Sequence, residues 1–333
     1  MLAVAAVVAC SKEETIIEQA PEAIAFDTFV NNATRADITT ANLDEFSVYA
    51  SIENASGANL ILTDEKVYKG TDDAWTYGNV QYWVPQANYN FTAFAPYANR
   101  HWVYTPATVE GKTTANNGTI SFNNETAAAN EDLIFASANR NLTSTTSLNA
   151  KPAAVAFTFG HQLSKIAFKF NNNFQAANNI KLRVYNVNVA GLVAEATATV
   201  TTGVAGAWTK KENTTTFART FGTQVATGDE NTAAIIPAQG NTVTDSHYFI
   251  PVANTKYTIT FLVDLIQAGV LVDTYNHTIE VTPGLAKGGN YLFTTTLDAS
   301  NVSDDPTQQL YPIEFTVTDV TGWNPANGTE TTF

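Results

Sequence analysis

The chain has 333 residues, a length that suits two domains of ordinary size better than one. Its 17 Lys and Arg against 31 Asp and Glu give a formal charge of −14, which disfavours nucleic acid and anionic lipid as partners. The single cysteine, Cys10, excludes a disulfide framework within the chain. Only 14% of residues are charged and 11% are aromatic. Together with the abundant Thr, this composition favours β-sheet over helix.

The N-terminus begins with an uncharged apolar run over residues 1–9. A membrane-spanning helix needs roughly 20 such residues, so the run is typical of the apolar region of a signal peptide. It ends Val7-Val8-Ala9-Cys10, which resembles the lipobox of bacterial lipoproteins, where the peptidase cuts before a cysteine that becomes acylated. We therefore expect residues 1–10 to be a lipoprotein signal peptide with lipid on Cys10. The alternative is a free cysteine in an N-terminal strand.

The next segment, residues 11–35, begins as an acidic stretch that should be a solvated linker. It then shows period-two alternation, which predicts a half-buried strand. The residues on the predicted inner face are Ile24, Phe26, Thr28 and Val30. A polar connection follows that holds Arg35, the only Arg in the first ninety-nine residues, and an exposed connection of this kind is a natural site for proteolysis.

From Leu43 onward, short alternating segments separated by turn residues predict an all-β fold of two β-sandwiches. A polar Asn171–Asn173 break places the domain boundary there, giving an N-terminal domain over 36–174 and a C-terminal domain over 175–333. Asn117-Gly118 predicts a turn. The predicted strands include Val80 to Val84, Glu195 to Thr201, Tyr257 to Leu265, Val270 to Val281 and Ile313 to Val320.

Sequence motifs of catalysis are absent: no P-loop, G-x-G-x-x-G, G-x-S-x-G or H-E-x-x-H occurs. The four histidines are never spaced like metal ligands, either with one another or with the cysteine. We therefore predict no enzyme activity, no cofactor and no metal site. The histidines are His101, His161, His247 and His277.

An arginine stands directly before an alanine at Arg35-Ala36, downstream of the lipobox. Four further segments follow in order along the chain: Asp37 to Tyr49, Tyr89 to Pro96, Phe157 to Ile166 and Ile313 to Trp323. The order of these features resembles the fimbrillins of Bacteroides-type (type V) pili.

This resemblance implies two tandem transthyretin-like β-sandwich domains and export as an outer membrane lipoprotein precursor. It also implies cleavage between Arg35 and Ala36 by an arginine-specific protease, with residues 11–35 as a pro-segment. Polymerisation with other pilin subunits by strand exchange would then place the mature chain in a cell-surface adhesive fimbria. The donated strand would lie near 311–323. Its candidate residues are Ile313, Phe315, Val317 and Val320.

Two alternatives stay open on the sequence. The last strand could be an ordinary strand of its own domain, and the chain could be an anchor or tip subunit of the same pilus. A surface glycan-binding lipoprotein is the other class, because exposed aromatic residues can stack on sugar rings. The aromatic residues considered for such a platform are Trp75, Tyr77, Tyr82, Trp83, Trp102 and Tyr104.

Overall fold

The computed structural model of the chain describes residues 22–30, 38–72, 74–128, 130–145, 152–223, 233–302, 314–319 and 331–332. Within these residues the fold is all-β, as predicted, with a single 3₁₀ turn at Ala176–Asn178. No helix in this part of the chain is long and apolar enough to cross a membrane.

The strands of the first half of the chain are β1 (Phe26–Val30), β2 (Glu45–Asn54), β3 (Gly57–Lys69), β4 (Trp75–Tyr77), β5 (Asn88–Ala95), β6 (Trp102–Val109), β7 (Lys112–Asn123), β8 (Ile134–Asn141) and β9 (Val155–His161). Those of the second half are β10 (Ser164–Asn172), β11 (Ile180–Val193), β12 (Glu195–Thr201), β13 (Val204–Ala205), β14 (Thr209–Lys210), β15 (Thr216–Phe221), β16 (Ile235–Ile236), β17 (Asn241–Val243), β18 (His247–Phe249), β19 (Tyr257–Gln267), β20 (Val270–Val281), β21 (Asn290–Leu297), β22 (Thr316–Asp319) and β23 (Thr331–Thr332).

The N-terminal sandwich contains two sheets. Sheet I has the order β1-β9-β8-β5-β2-β3-β4, and sheet II has the order β13-β12-β7-β6 with β14 beside β12. One face of sheet I packs on sheet II through a core that includes Tyr49, Phe94 and Trp102. The other face is also buried, around Phe46, Phe91 and other aliphatic and aromatic side chains. Burial of both faces explains why every residue of β5 after Asn88 is buried, including Asn90 and Thr92.

Sheet I curls so that its first and last strands meet. The ring of Phe26 in β1 lies 5.1 Å from the ring of Tyr77 in β4. The Tyr77 hydroxyl donates a hydrogen bond to the Ile24 carbonyl at 2.9 Å. The inner face of the curl is therefore closed by the N-terminal strand together with β4, and its core sits between them.

The C-terminal sandwich is built from sheets III and IV. Sheet III has the order β17-β10-β21-β22-β23 with β18 beside β10, and sheet IV has the order β15-β11-β19-β20 with β16 beside β11. Their inner faces share one core in which Phe168 and Phe293 of sheet III pack with Phe261 of sheet IV. The predicted strands Glu195 to Thr201 and Val270 to Val281 have the bounds observed for β12 and β20.

The predicted boundary at residue 174 does not separate the strands of the two sandwiches. β10 lies before that boundary but belongs to sheet III, whereas β12 lies after it and pairs antiparallel with β7 of sheet II. The cause is β11, whose fourteen residues carry the chain from the C-terminal sandwich back to the N-terminal one. The division into two tandem transthyretin-like domains stays a prediction.

The junction between the sandwiches is fixed by Trp208 and Lys287. The Trp208 indole N–H donates to the Gln162 carbonyl at 2.7 Å, and the Lys287 ammonium lies 5.5 Å from the Trp208 ring centroid. Lys287 Nζ also donates to Gln162 Oε1 at 3.1 Å and to the Gly206 carbonyl. Burial lowers the pKa of Lys287 to about 8. Each sandwich therefore has one end at this junction and one end away from it.

Two predictions from local sequence are wrong. Residues 80–84 are not a regular strand, because their pairing is limited to a bridge between Tyr82 and Ala23. Asn117-Gly118 is not a turn but lies within β7. A Cβ added at Gly118 would stand 2.7 Å from the Tyr104 ring, so the glycine serves a close approach between neighbouring strands.

Strands β3, β4 and β6 were not predicted. β3 carries Asp64, Glu65 and Lys66 in its middle and is irregular there, with Asp64 at a positive φ of 54°. β6 holds Pro106, which is tolerated because β6 is the edge strand of sheet II. Charge in β3 and proline in β6 interrupt the alternation that predicts a strand. The short strands β13, β14, β17 and β23 were not predicted either.

Acid should weaken the C-terminal sandwich through His277 of β20. The imidazole stacks on Phe261 at 5.1 Å between ring centroids, and burial lowers its pKa from 6.5 to about 4. In this pH range the unfolded chain binds the proton more readily, so stability should fall as the pH drops from about 6.5 to about 4. His277→Phe keeps the ring contact without the proton and should flatten that part of a stability–pH curve measured by urea unfolding. An equal slope in both proteins would contradict this assignment.

Candidate functional site: the N-terminal strand and its groove

Residues 22–30, which we call the closing segment, lie between β9 and β4, the two strands that sheet I would have at its ends without β1. β1 pairs parallel with β9, with Phe26 opposite Val155 and Val30 opposite Phe159. The Val155 amide donates to the Ala25 carbonyl at 2.7 Å. All five residues of β1 pair with β9. Without the closing segment, the backbone N–H and C=O groups on this edge of β9 would therefore be unpaired.

The inner face of the closing segment is deeply buried. Ile24, Phe26 and Val30 are 1%, 5% and 4% exposed, whereas Phe29 on the opposite face is 55% exposed. Thr28, also on the inner face, is half-buried. The structure therefore places the four predicted inner-face residues toward the groove and leaves Phe29 outside it.

Phe26 sits at the centre of an aromatic cluster. Its ring centroid lies 5.8 Å from that of Phe157 in a stacked geometry and 6.2 Å from that of Phe91. The rings of Phe46 and Tyr77 complete the cluster at 6.4 and 5.1 Å. These partners come from four strands of sheet I, so one side chain of the closing segment holds the interior of the curl together.

The far side of the closing segment is bound by residues that precede β5. The Ile24 amide donates to the Gln81 carbonyl at 2.8 Å, and the Trp83 amide donates to the Glu22 carbonyl at 3.0 Å. Burial raises the pKa of Tyr77, so its hydroxyl stays protonated at neutral pH and keeps donating to Ile24. The segment is thus bonded along one edge by β9 and at the start of its other edge, over residues 22–24, by Gln81, Trp83 and Tyr77.

The C-terminal end of the closing segment is held by Thr40. The Val30 amide donates to Thr40 Oγ1 at 2.9 Å. Between these two anchored points lie residues 31–37, which include the predicted cleavage site Arg35-Ala36 and fall outside the described residues. Cys10 also falls outside them. A cut at Arg35 would separate the segment covalently from the sandwich and leave its contacts intact.

The predicted donor strand lies in its own domain in this structure. β22 pairs antiparallel with β21, and Val317 stands opposite Phe293. Phe315 is fully buried, with its ring centroid 5.6 Å from Phe168 and 6.3 Å from Phe261. Of the other candidates, Ile313 and Val320 lie outside the described residues.

The aromatic residues considered as a sugar platform do not form one. Tyr77, Trp83, Trp102 and Tyr104 are buried in the cores of the N-terminal sandwich, and only Tyr82 is largely exposed, at 48%. Trp75 packs edge-on against Phe46 at 4.8 Å. These rings serve packing, so the structure gives no support to the glycan-binding alternative.

The histidines each have a separate structural partner. His161 Nδ1 lies 2.6 Å from Asp132 Oδ2 in a buried pair, and His101 Nδ1 lies 2.5 Å from Glu131 Oε2. Among the described residues, no group of three or more His, Cys, Asp or Glu side chains could hold a metal ion.

The sequence did not reveal the residues that clasp the closing segment from the other side. Gln81 and Trp83 bind it through main-chain groups, which leave no side-chain signature. Tyr77 and Thr40 bind it through hydroxyls, but they are 53 and 10 residues distant from their partners in the chain. Only the curling of sheet I brings these groups together.

The fold and this site define an all-β structural protein whose N-terminal strand completes a sandwich from the edge. The sequence profile of the fimbrillin-like family matches residues 34–323, and the chain belongs to this family. Its members are structural, non-enzymatic proteins, which agrees with the predicted lack of enzyme activity. A search of the curated proteins finds no match.

Several solved structures are similar to this chain, and one of them superposes well enough to share its fold. A fimbrial protein from Bacteroides vulgatus superposes with a TM-score of 0.62 at 17% identity, covering 91% of this chain and all of that one. A fimbrial assembly protein from Parabacteroides distasonis gives a TM-score of 0.45 at 13% identity over 93% and 99% of the two chains. The fimbrial anchor protein Mfa2 from Porphyromonas gingivalis gives 0.42 at 11% over 91% and 98%. Family membership supports a role as a pilus subunit at the cell surface.

The two phenylalanines of β1 offer a matched pair of substitutions. Phe26→Ala should destabilise the N-terminal sandwich by about 3–5 kcal/mol, because it empties the centre of the aromatic cluster. Phe29→Ala, in the same strand but 55% exposed, should stay within about 0.5 kcal/mol of the parent. Urea unfolding followed by tryptophan fluorescence measures both. Similar losses for the two variants would show that the closing segment does not pack as described.

Proposed function

We propose that this chain is a stalk subunit of a fimbria that polymerises by protease-triggered strand exchange. The observation that carries the proposal is the closing segment, which pairs with β9 along one edge, is bonded to Gln81 and Trp83 at the start of its other edge and is buried on one face. Arg35 follows it, five residues before the anchored Thr40. Its replacement by a strand of another subunit would link the two chains non-covalently along a full ladder.

Export precedes assembly in this proposal. Acylation of Cys10 would hold the precursor on the outer membrane, and cleavage between Arg35 and Ala36 by an arginine-specific protease would release the mature chain from its lipid. The closing segment protects the groove until that point, since an open apolar groove with an unpaired edge is prone to aggregation.

Cleavage alone does not empty the groove. The contacts of Ile24, Phe26 and Val30 and the hydrogen bonds to both edges do not depend on the bond after Arg35. What the cut removes is the tether, which holds the segment at a high effective concentration beside its groove. An incoming strand can then compete with it for the same site.

The C-terminal strand has a side-chain pattern that fits the groove. Ile313, Phe315 and Val317 repeat the spacing of Ile24, Phe26 and Thr28, with isoleucine and phenylalanine in the same relative positions. Phe315 would then take the place of Phe26 in the aromatic cluster. A one-residue slip would turn the aromatic side chain outward, so the register is well specified.

The N-terminus of the protein recovered from the cell surface tests this proposal. We expect a chain that begins at Ala36 and runs as a ladder of multimers that resists heat in detergent. A chain that begins at acylated Cys10 would contradict a stalk role and would favour an anchor subunit.

Substitution of Arg35 provides the matched control. Arg35→Lys keeps the charge but removes the residue that an arginine-specific protease requires, so the chain should remain at precursor length and form no multimers. Treatment of purified Arg35→Lys precursor with a lysine-specific protease should restore multimers. Multimers formed by uncut Arg35→Lys protein would contradict a protease trigger.

A further inference from the structure

Two apolar surfaces of this chain are exposed and remain without a role. The first, which we call the C-terminal pole, is the tip of the β19–β20 hairpin, where Val270, Leu271 and Val272 are 67%, 55% and 47% exposed. The second, which we call the N-terminal pole, is the segment that clasps the closing segment, where Val80, Tyr82 and Val84 are 42%, 48% and 46% exposed. Contiguous exposed apolar side chains of this kind mark interaction surfaces.

The C-terminal pole lies at the end of its sandwich away from the junction. Gln267 and Val270 pair with each other at the tip, and Gln267 also pairs with Ile180 at the start of β11. The opposite end of β11, at Val193, leads directly into the strand that joins sheet II. The distance from the hairpin tip to the junction is therefore about the length of β11.

The chain enters β22 from this same end. β22 runs antiparallel to β21, with Thr316 opposite Thr294 and Asp319 opposite Tyr291, so Phe315 is nearer the outer end than Asp319. A donated β22 would leave its own sandwich at the C-terminal pole. That pole would then face the subunit that receives the strand.

The N-terminal pole lies at the end of its sandwich away from the junction as well. Tyr82 bridges to Ala23, at the start of the closing segment, whereas β1 and β9 both run from there toward the junction. An incoming strand would reach the groove beside Val80, Tyr82 and Val84. Strand exchange would therefore bring the C-terminal pole of the donor subunit next to the N-terminal pole of the acceptor subunit.

The chain segments that form the two poles hold no charged residue on a strongly acidic protein, although Glu65 lies beside Val80, where it accepts from the Gly78 and Asn79 amides, and Asp273 follows Val272. Residues 265–272 hold no charged side chain, and neither do residues 74–99. Cleavage at Arg35 removes two basic and five acidic residues, which leaves 15 − 26 = −11 on the mature chain. Two such subunits repel each other at long range, so their closest approach requires uncharged surfaces.

We propose that the C-terminal pole of one subunit docks on the N-terminal pole of the next copy of this chain. The contact is head-to-tail, so each subunit keeps one free pole of each kind and the contact propagates along the filament. It rests on the proposed strand exchange and adds a second contact beside the donated strand. This contact would orient the donor before the groove is filled.

Three matched pairs of Val→Thr substitutions test this contact, because threonine keeps the β-propensity of valine and replaces an exposed methyl with a hydroxyl. The first pair is Val270→Thr with Val272→Thr, and the second is Val80→Thr with Val84→Thr. The control is Val103→Thr with Val204→Thr, two residues that are 61% and 68% exposed on sheet II. All three proteins should unfold at the temperature of the parent.

Two readouts are measured on each purified chain after cleavage at Arg35. The first is exchange of the closing segment for a fluorescent peptide of residues 311–323, which needs the groove but not the C-terminal pole. The second is the rate of multimer formation by light scattering. We expect both pole variants to form multimers about tenfold more slowly than the parent. The reason is that replacing valine with threonine removes part of the free energy gained when these side chains are buried in the contact. Peptide uptake by the Val270/Val272 variant and multimer formation by the control should match the parent.

Combining the two pole variants in one chain tests whether the surfaces touch each other. Residues that share a contact show non-additive effects, so the fourfold variant should be little slower than either pair. Multimer formation by the Val270/Val272 variant at the parent rate would overturn the pole contact while leaving strand exchange intact. Failure of the parent to take up the peptide would overturn the proposed strand exchange, and with it the contact that rests on it.

Discussion

The burial of Phe26 within sheet I is the interaction on which the N-terminal sandwich depends. Its ring contacts Phe46, Tyr77, Phe91 and Phe157, which belong to strands on both sides of the gap that β1 fills. Fully burying a side chain of this size stabilises a fold by about 1.5–3 kcal/mol relative to leaving it exposed. The sheet can curl because its two ends share this one side chain as a common core.

The same contacts make the closing segment stabilising and, in the proposed assembly, replaceable. The closing segment is held by main-chain hydrogen bonds at its edges and by apolar contacts on one face. Neither kind of interaction requires the segment to be covalently joined to the rest of the chain. Any extended strand with large apolar side chains at alternate positions offers the same contacts. A structural requirement of the folded chain would thus also be the physical basis of the proposed joining of one chain to another.

The junction gives this replacement a fixed frame. Trp208 and Lys287 tie the loops of both sandwiches to Gln162, and β11 and β12 run from one sandwich into the other. In the proposed exchange, acceptance of a strand by the N-terminal sandwich would therefore leave the strand order of the C-terminal sandwich unchanged. Exposed apolar side chains also occur outside the two poles, for example Val103 and Val204 on sheet II.

Local sequence determined the all-β class and several strands, because period-two alternation is a local property that β12, β20 and the closing segment each display without help from the rest of the chain. It failed where a residue's role depends on a distant partner. The Asn117-Gly118 pair predicts a turn, but Gly118 lies within β7, where it leaves room for the Tyr104 ring. The residues from Val80 to Val84 predict a strand, but their pairing is limited to one bridge. Tertiary structure alone decided that β12 returns to the first sandwich, and that Tyr77 and Thr40 hold the closing segment. The reason is that the closure of sheet I and the return of the chain from the C-terminal sandwich to the N-terminal one both join residues far apart in the chain. No local pattern encodes which strands will pair.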